Sequence, residues 1–268
     1  MFVTSRKEFD MFLLGPIYKI YSWQHFLLVG ILLALMALGI FLIIKKIKTD
    51  KSRYIFFAIL SGISLALLIA GRISHIYHNI QDKTMVECWG EQRPYNWFML
   101  LPDSFCSIVS LVSPIIIICK KYKNNKFLEA TYVIPFLGMA SNLIYPEYLS
   151  RLPFWEFRTW FAVIYHAIMG YLIIALMITK DIKPKLKNWY YMPIAIAFFI
   201  TLGMFELTCL HFCEAFNLTH HLVEGNIITS WYFICLGYIL SDLLVRLVYF
   251  LVERHQNKNK VEKIEENT

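Results

Sequence analysis

Apolar residues in this chain fall into runs too long for the helices of a soluble core, separated by short polar segments. Seven runs reach the length that crosses a bilayer, about 17–25 residues. They predict helices over about 22–44, 54–78, 102–119, 127–145, 157–179, 190–213 and 227–251, called spans one to seven below. Residues 253–268 read as a short, solvated tail of mixed charge, and no unit repeats at a fixed period. The fold class expected is an all-α polytopic membrane protein, a bundle of seven transmembrane helices in a single domain over 1–268. The first run is too long for a cleavable signal peptide and lacks a small-residue cleavage site, so span one is expected to act as its own insertion signal.

The polar positions inside these runs are informative because lipid does not tolerate them cheaply. At the head of span three, in LPDSFCSIVSLVSP, Asp103, Cys106, Ser110 and Ser113 recur at offsets of three, seven and ten. On a helix that pattern is one face, and a face carrying a carboxylate and a thiol turns toward protein or water. Pro102 suits a first helical turn, Pro114 removes a bond further down, and Pro135 predicts a kink in span four.

Composition fits the same picture: 58% of residues are hydrophobic and only 17% charged, against about 25% charged in soluble domains. The net charge of +7 lies mainly in short loops, which makes it a topology signal rather than a nucleic-acid footprint. Lys45, Lys46, Lys48, Lys51 and Arg53 follow span one, Lys120, Lys121, Lys123 and Lys126 follow span three, and Lys180, Lys183, Lys185 and Lys187 follow span five. The intervening loops carry only Lys83 and Arg93, Arg151 and Arg158, or none. Positive and poor segments alternate, which places the N-terminus outside and the C-terminus in the cytoplasm. Six cysteines (Cys88, Cys106, Cys119, Cys209, Cys213, Cys235) form no CxxC pair and suggest no disulfide framework.

With that orientation, ~1.5 Å of rise per residue sets depth. Cys106 at the start of span three, His166 in span five, Arg72, His75 and His78 at the end of span two, Glu206 and His211 at the end of span six, and His25 in span one all fall in the outer half of the bilayer. Asp103 joins them. The inner half holds mainly Asp242 and Arg246, spaced as an i,i+4 ion pair. Ionisable groups at such depth default to function. A thiol near a helix N-terminus, with a histidine available, is the minimal equipment for acyl transfer through a thioester. Ala162, Ala167 and Gly170 around His166 permit the close helix approach such a pair needs. Arg72 offers a planar donor fork for a lipid phosphate. Two other classes stay open on these residues. His75, His78, His166, His211 and Asp103 contain enough donors for a zinc-dependent lipid hydrolase. A polar outer vestibule also suits a transporter or receptor, although span seven has no lysine for a retinal Schiff base.

The order of motifs resembles the YwaF family of bacterial membrane proteins and its animal relatives, the transmembrane protein 164 lipid acyltransferases. The residues that carry the resemblance are Gln24-His25, the LPxxxC opening that ends at Cys106, Pro146, the aromatic run FWEFRTWFAVIYH that ends at His166, and Trp231-Tyr232. The resemblance implies movement of an acyl chain between phospholipids, with Cys106 as nucleophile and His166 as general acid/base. Arg72, His75, His78, Asp103, Glu206, His211 and His25 would then line the substrate site. It implies phospholipids and lysophospholipids as partners, no cofactor and no bound metal, and a multi-pass location in a bacterial plasma membrane. Two positions depart from the family pattern: Ser104 stands where many members have histidine, and Arg72 stands where an acidic or neutral residue is expected.

Overall fold

The computed structural model describes residues 21–81, 83, 85–88, 91–95, 97–145, 157–212, 215, 216, 218, 227 and 230–265. The N-terminal lead up to residue 20, the aromatic loop with Pro146, the NLTHH histidines His220 and His221, and Cys213 lie outside the described residues.

Helix dominates. In chain order the helices are α1 (Trp23–Lys45), α2 (Asp50–Gln81), α3 (Phe105–Ile118), α4 (Lys126–Thr131), α5 (Val133–Ile144), α6 (Phe157–Ile178), α7 (Tyr191–Cys209) and α8 (Trp231–Glu265). Short 3-10 turns at Trp97–Leu100 and Leu186–Asn188 precede α3 and α7. The polar loop after span two contains an antiparallel hairpin, β1 (Met85–Cys88) and β2 (Glu91–Pro94), with Met85 opposite Pro94 and Cys88 opposite Glu91.

Five helical stretches are long and apolar enough to cross a membrane: Trp23–Lys45, Asp50–Gln81, Trp160–Ile178, Leu186–Cys209 and Trp231–Asn257. The apolar helices α3 and α5 are shorter, at 14 and 12 residues. Both differences from the predicted spans have local causes. Span three was expected to begin near Pro102, but α3 begins at Phe105 because Ser104 caps it. The Ser104 hydroxyl accepts from the Ser107 N–H, and the Ser107 hydroxyl accepts from the Ser104 N–H at 3.0 Å, which satisfies two otherwise orphaned donors. Span four is divided at Tyr132. Pro135 has no N–H for the carbonyl of Thr131, four residues back, so the ladder ends there, one turn before the proline itself. The predicted tail is also helical, since α8 continues to Glu265, and its residues from Leu251 to Asn257 are exposed.

α6 is the axial helix: 67% of its apolar window is buried, against 17–33% in the other four candidate spans. It packs most extensively on α2 and α5, and α2 packs in turn on α3. Small residues bring the axes together as expected. Ala162 and Ala167 are buried, and a Cβ on Gly170 would stand 2.5 Å from the Met139 Cβ of α5. The opposite faces are bare and apolar, with Leu35 and Phe41 on α1, Ile194 and Phe198 on α7, and Leu240 and Leu244 on α8 all more than half exposed. Faces of that kind suit contact with lipid chains rather than water.

The far end of the bundle from Cys106 is pinned by a buried ionic network. Arg246 is fully buried and donates from Nε to Asp242 Oδ2 at 2.8 Å, the predicted i,i+4 pair. It also donates from Nη1 to Glu129 Oε1 at 3.2 Å and to the Lys185 carbonyl at 2.9 Å, and from Nη2 to the Glu129 carbonyl at 2.8 Å. Asn188 Nδ2 donates to the same Glu129 oxygen at 2.8 Å. One residue of α8 thereby ties α4 and the Leu186–Asn188 turn to the last helix.

Candidate active site

The site is built where α3, α5, α6 and α8 meet. Cys106 is the second residue of α3, in the first turn after the Ser104 cap. Its partly buried side chain faces Gly138 of α5, where an added Cβ would meet Cys106 Sγ at 3.0 Å. The same imagined atom would lie 3.2 Å from His166 Cδ2 and 3.8 Å from His166 Nε2. Thiol and imidazole therefore look at one point from two sides. No direct hydrogen bond joins them among the described residues, and α3 and α6 touch only sparsely, because α5 lies against both. Gly138, having no side chain, lets the thiol and the imidazole both approach the backbone of α5.

The imidazole has a defined chemical state. His166 is buried, its Nδ1 lies 2.7 Å from the Ala162 carbonyl, and its ring stacks on Tyr165 at 4.2 Å between centroids. A carbonyl can only accept, so Nδ1 carries the proton. In the neutral ring the lone pair then sits on Nε2, on the ring edge (Cδ2–Nε2) that borders Gly138. That is the tautomer a proton acceptor for the thiol requires. Tyr238 of α8 also lies near enough to interact with the Cys106 side chain.

The segment before α3 is held by Arg72. Its Nε donates to the Leu100 carbonyl at 3.1 Å, Nη2 to the Met99 carbonyl at 2.9 Å and also to the Leu101 carbonyl, and Nη1 to Asp103 Oδ1 at 3.1 Å. Four of the five guanidinium donors thus serve the chain's own backbone and one carboxylate. Through these bonds Arg72 fixes the turn that delivers Cys106. Asp103 is likewise not on the helical stripe with Cys106, Ser110 and Ser113, since it precedes the Ser104 cap. Its carboxylate faces Arg72, and its carbonyl accepts from the Phe216 N–H at 2.6 Å. Glu206 of α7 is 2% exposed, lies near enough to Asp103 and Arg72 to feel their charges, and has one carboxylate oxygen with no hydrogen-bond partner among the described residues.

The expected gathering of histidines does not form. His75 and His78 are exposed on α2, where His75 contacts Asn79 and the Tyr95 ring, and His78 Nδ1 reaches the Ser74 carbonyl at 2.7 Å. His211 is exposed at a left-handed φ of 55° just beyond α7. His25 is buried in α1 and hydrogen-bonded to the Leu143 backbone, against α5 rather than Cys106. His25, His75 and His78 make local backbone, side-chain or ring contacts, which depth alone could not reveal. Among the described residues, no three His, Cys, Asp or Glu side chains are grouped so as to hold a metal ion. The donors that a zinc hydrolase would need are therefore dispersed.

Three participants escaped sequence reading. Gly138 has no side chain to announce itself. Tyr238 lies on a helix more than a hundred residues from Cys106, although its i,i+4 spacing to Asp242 places it on the buried face of α8 and was a usable signal. Glu129 stood near the start of predicted span four, close to the lysine-rich loop, and was not singled out.

A family model for the TMEM164 family matches residues 20–240. No curated protein and no solved structure matches the chain. The match takes in four-fifths of the sequence, including Cys106, Gly138, His166 and Tyr238, and accords with the apolar helices of a membrane protein. On this evidence the chain belongs to the TMEM164 family.

Proposed function

We propose that this protein is a multi-pass membrane acyltransferase that moves an acyl chain between glycerophospholipids through a Cys106 thioester. The observation that carries the reading is the His166 tautomer. With Nδ1–H held by the Ala162 carbonyl, the lone pair is left on Nε2, at the edge of the ring that borders Gly138 beside the Cys106 thiol. Nucleophile and base of this kind, with the base oriented by a third group, are the recurring equipment of covalent acyl transfer.

In the proposed reaction, His166 Nε2 takes the proton of Cys106 Sγ. The sulfur attacks the ester carbonyl carbon of a donor phospholipid, the C–S bond forms, and the C–O bond to the glycerol breaks. The departing lysophospholipid oxygen takes the proton from His166. An acceptor lysophospholipid hydroxyl then gives its proton to Nε2 and attacks the thioester carbonyl. The C–S bond breaks, and the sulfur recovers a proton from His166. No group outside the chain and its lipids is required for balance.

The same reading takes α1, α2, α3, α4 with α5, α6, α7 and α8 as seven crossings, with the N-terminus outside. α4 and α5 together run from Lys126 to Ile144, ~28 Å at 1.5 Å per residue, enough for the hydrocarbon core despite the break. α3 alone covers ~21 Å, and the Arg72-clamped segment from Met99 to Asp103 roofs the remainder at the outer surface. In this orientation the Cys106–His166 opening serves lipids of the outer leaflet, in a bacterial plasma membrane.

The test is acyl exchange between a labelled phospholipid and a lysophospholipid in reconstituted bilayers, comparing wild type with Cys106→Ser. Loss of nearly all exchange in the variant at equal reconstituted yield supports the proposal. Wild-type exchange by Cys106→Ser removes the covalent route.

A further inference from the structure

The proposed Cys106–His166 pair leaves one contact unexplained. Cys106 has two polar neighbours, and only one is the imidazole across Gly138. The other is the Tyr238 side chain of α8, near enough to interact with the thiol. Tyr238 is not placed there by chance packing of a tip. Its ring meets Phe105, the residue adjacent to Cys106 on α3, at 5.6 Å between centroids and 64°, an edge-to-face seat. Phe105 is itself held edge-on by Phe199 at 6.0 Å and Phe216 at 5.1 Å. One turn further along α8, Asp242 and Arg246 anchor that helix to α4 in the buried network. The hydroxyl is thus positioned by ring packing beside it and an ionic anchor below it.

We infer that Tyr238 is a third catalytic residue, whose O–H donates to the Cys106 sulfur and steadies the thiolate once His166 has taken its proton. Among the described residues, no cation lies in contact with the sulfur to carry a thiolate's charge. A hydroxyl donor held beside the sulfur supplies that stabilisation with little reorganisation. The proton of Tyr238 stays on its oxygen throughout. The hydrogen bond strengthens as charge develops on sulfur and relaxes as the C–S bond forms, so the step remains balanced. His166 and Tyr238 divide the work: one removes the proton, the other holds what is left. Gly138 provides the open side from which the ester carbonyl arrives.

This inference deepens the acyltransferase reading, and its test is chosen to fail separately from it. In Tyr238→Phe the ring and its seat on Phe105 remain, and only the donor is lost. The primary readout is the rate at which iodoacetamide alkylates Cys106 in the full-length protein in lipid nanodiscs at pH 7.5, read by site-resolved mass spectrometry. A hydrogen bond to a charged group implies a loss of about 10- to 100-fold in that rate. His166→Gln serves as the positive control for a lost proton acceptor, and exposed Cys119 in the same sample controls for reagent. The second readout is acyl exchange, where kcat falls by a similar factor and KM stays unchanged. Slowed alkylation in Tyr238→Phe supports the inference even if wild type shows no acyl exchange, in which case the transferase reading alone fails. Unchanged alkylation in Tyr238→Phe, at equal yield and thermal stability, overturns the inference whatever the exchange assay shows.

Discussion

At the residue scale the site depends on an atom that is missing. A methyl on Gly138 would press on Cys106 Sγ at 3.0 Å and His166 Cδ2 at 3.2 Å, distances at which one of the two must move. Gly138→Ala asks the thiol or the imidazole to give by a few tenths of an ångström and is expected to lower acyl exchange, by less than the roughly 100-fold that a full ångström of misplacement costs. Folded yield should change little, since alanine favours a helix interior over glycine. Equal exchange rates for Gly138→Ala and wild type would show that the thiol and imidazole do not meet over this residue. His166→Ala keeps the nucleophile and loses the base, for an expected loss of about 10²–10⁴-fold in the same assay. Cys209, exposed at the end of α7, has no place in this geometry, and Cys209→Ser should leave exchange unaltered. Cys106 and His166 could be picked out in the sequence because a thiol and an imidazole are conspicuous in apolar helices. Their relation could not be seen, because it runs through a glycine on a third helix. The other histidines misled for a complementary reason: depth can be counted along a chain, but the direction in which an imidazole points depends on which neighbour offers it a carbonyl.

At the scale of elements, the start of α3 is set by capping chemistry and by Arg72 rather than by the proline nearby. Ser104 and Ser107 form the capping box, and Arg72 holds the turn before it through three carbonyls and a carboxylate. Lysine at position 72 would keep the charge but not the planar fork. Arg72→Lys is therefore expected to destabilise the bundle by about 1–3 kcal/mol and to loosen Cys106. Thermal unfolding followed by intrinsic fluorescence gives the first quantity and the Cys106 alkylation rate the second. An unchanged transition would return Arg72 to the role of a free lipid-binding group. The buried network around Arg246 makes a stronger demand. Arg246→Met strands Asp242 and Glu129 without their counter-charge, and removing one partner of a buried pair costs about 3–5 kcal/mol. Loss of extractable protein is the expected result, with partial recovery when Glu129→Gln and Asp242→Asn are added. The i,i+4 pair within α8 was legible from spacing alone. The third member, Glu129, was not, because a glutamate in the first turn of a span, beside a lysine-rich loop, resembles any interfacial charge until the fold brings α8 over it.

For the whole molecule, seven apolar runs were visible as hydropathy, while among the described residues the structure divides them into five helices of full crossing length and three shorter ones, α3, α4 and α5. The shortfall lies in the elements that build the site, where the Ser104 cap and Pro135 end helices early. The proposed orientation makes the loops around Lys45–Arg53, Lys120–Lys126 and Lys180–Lys187 cytoplasmic. Single cysteines placed at Lys48, Lys123 and Lys183 should resist a membrane-impermeant maleimide in intact cells and react after permeabilisation. Labelling of any of them from outside would reverse the depth order and turn the site toward the other leaflet. The central claim is chemical, however, and its most direct measurement is intact-protein and peptide mass spectrometry of Cys106 after incubation with a phospholipid donor in the absence of acceptor. The account predicts a mass increase equal to the donor acyl chain on the Cys106 peptide, removed by neutral hydroxylamine and absent from Cys106→Ser. A wild-type protein that exchanges acyl chains while Cys106 remains unmodified, or carries the adduct on another residue, would contradict it.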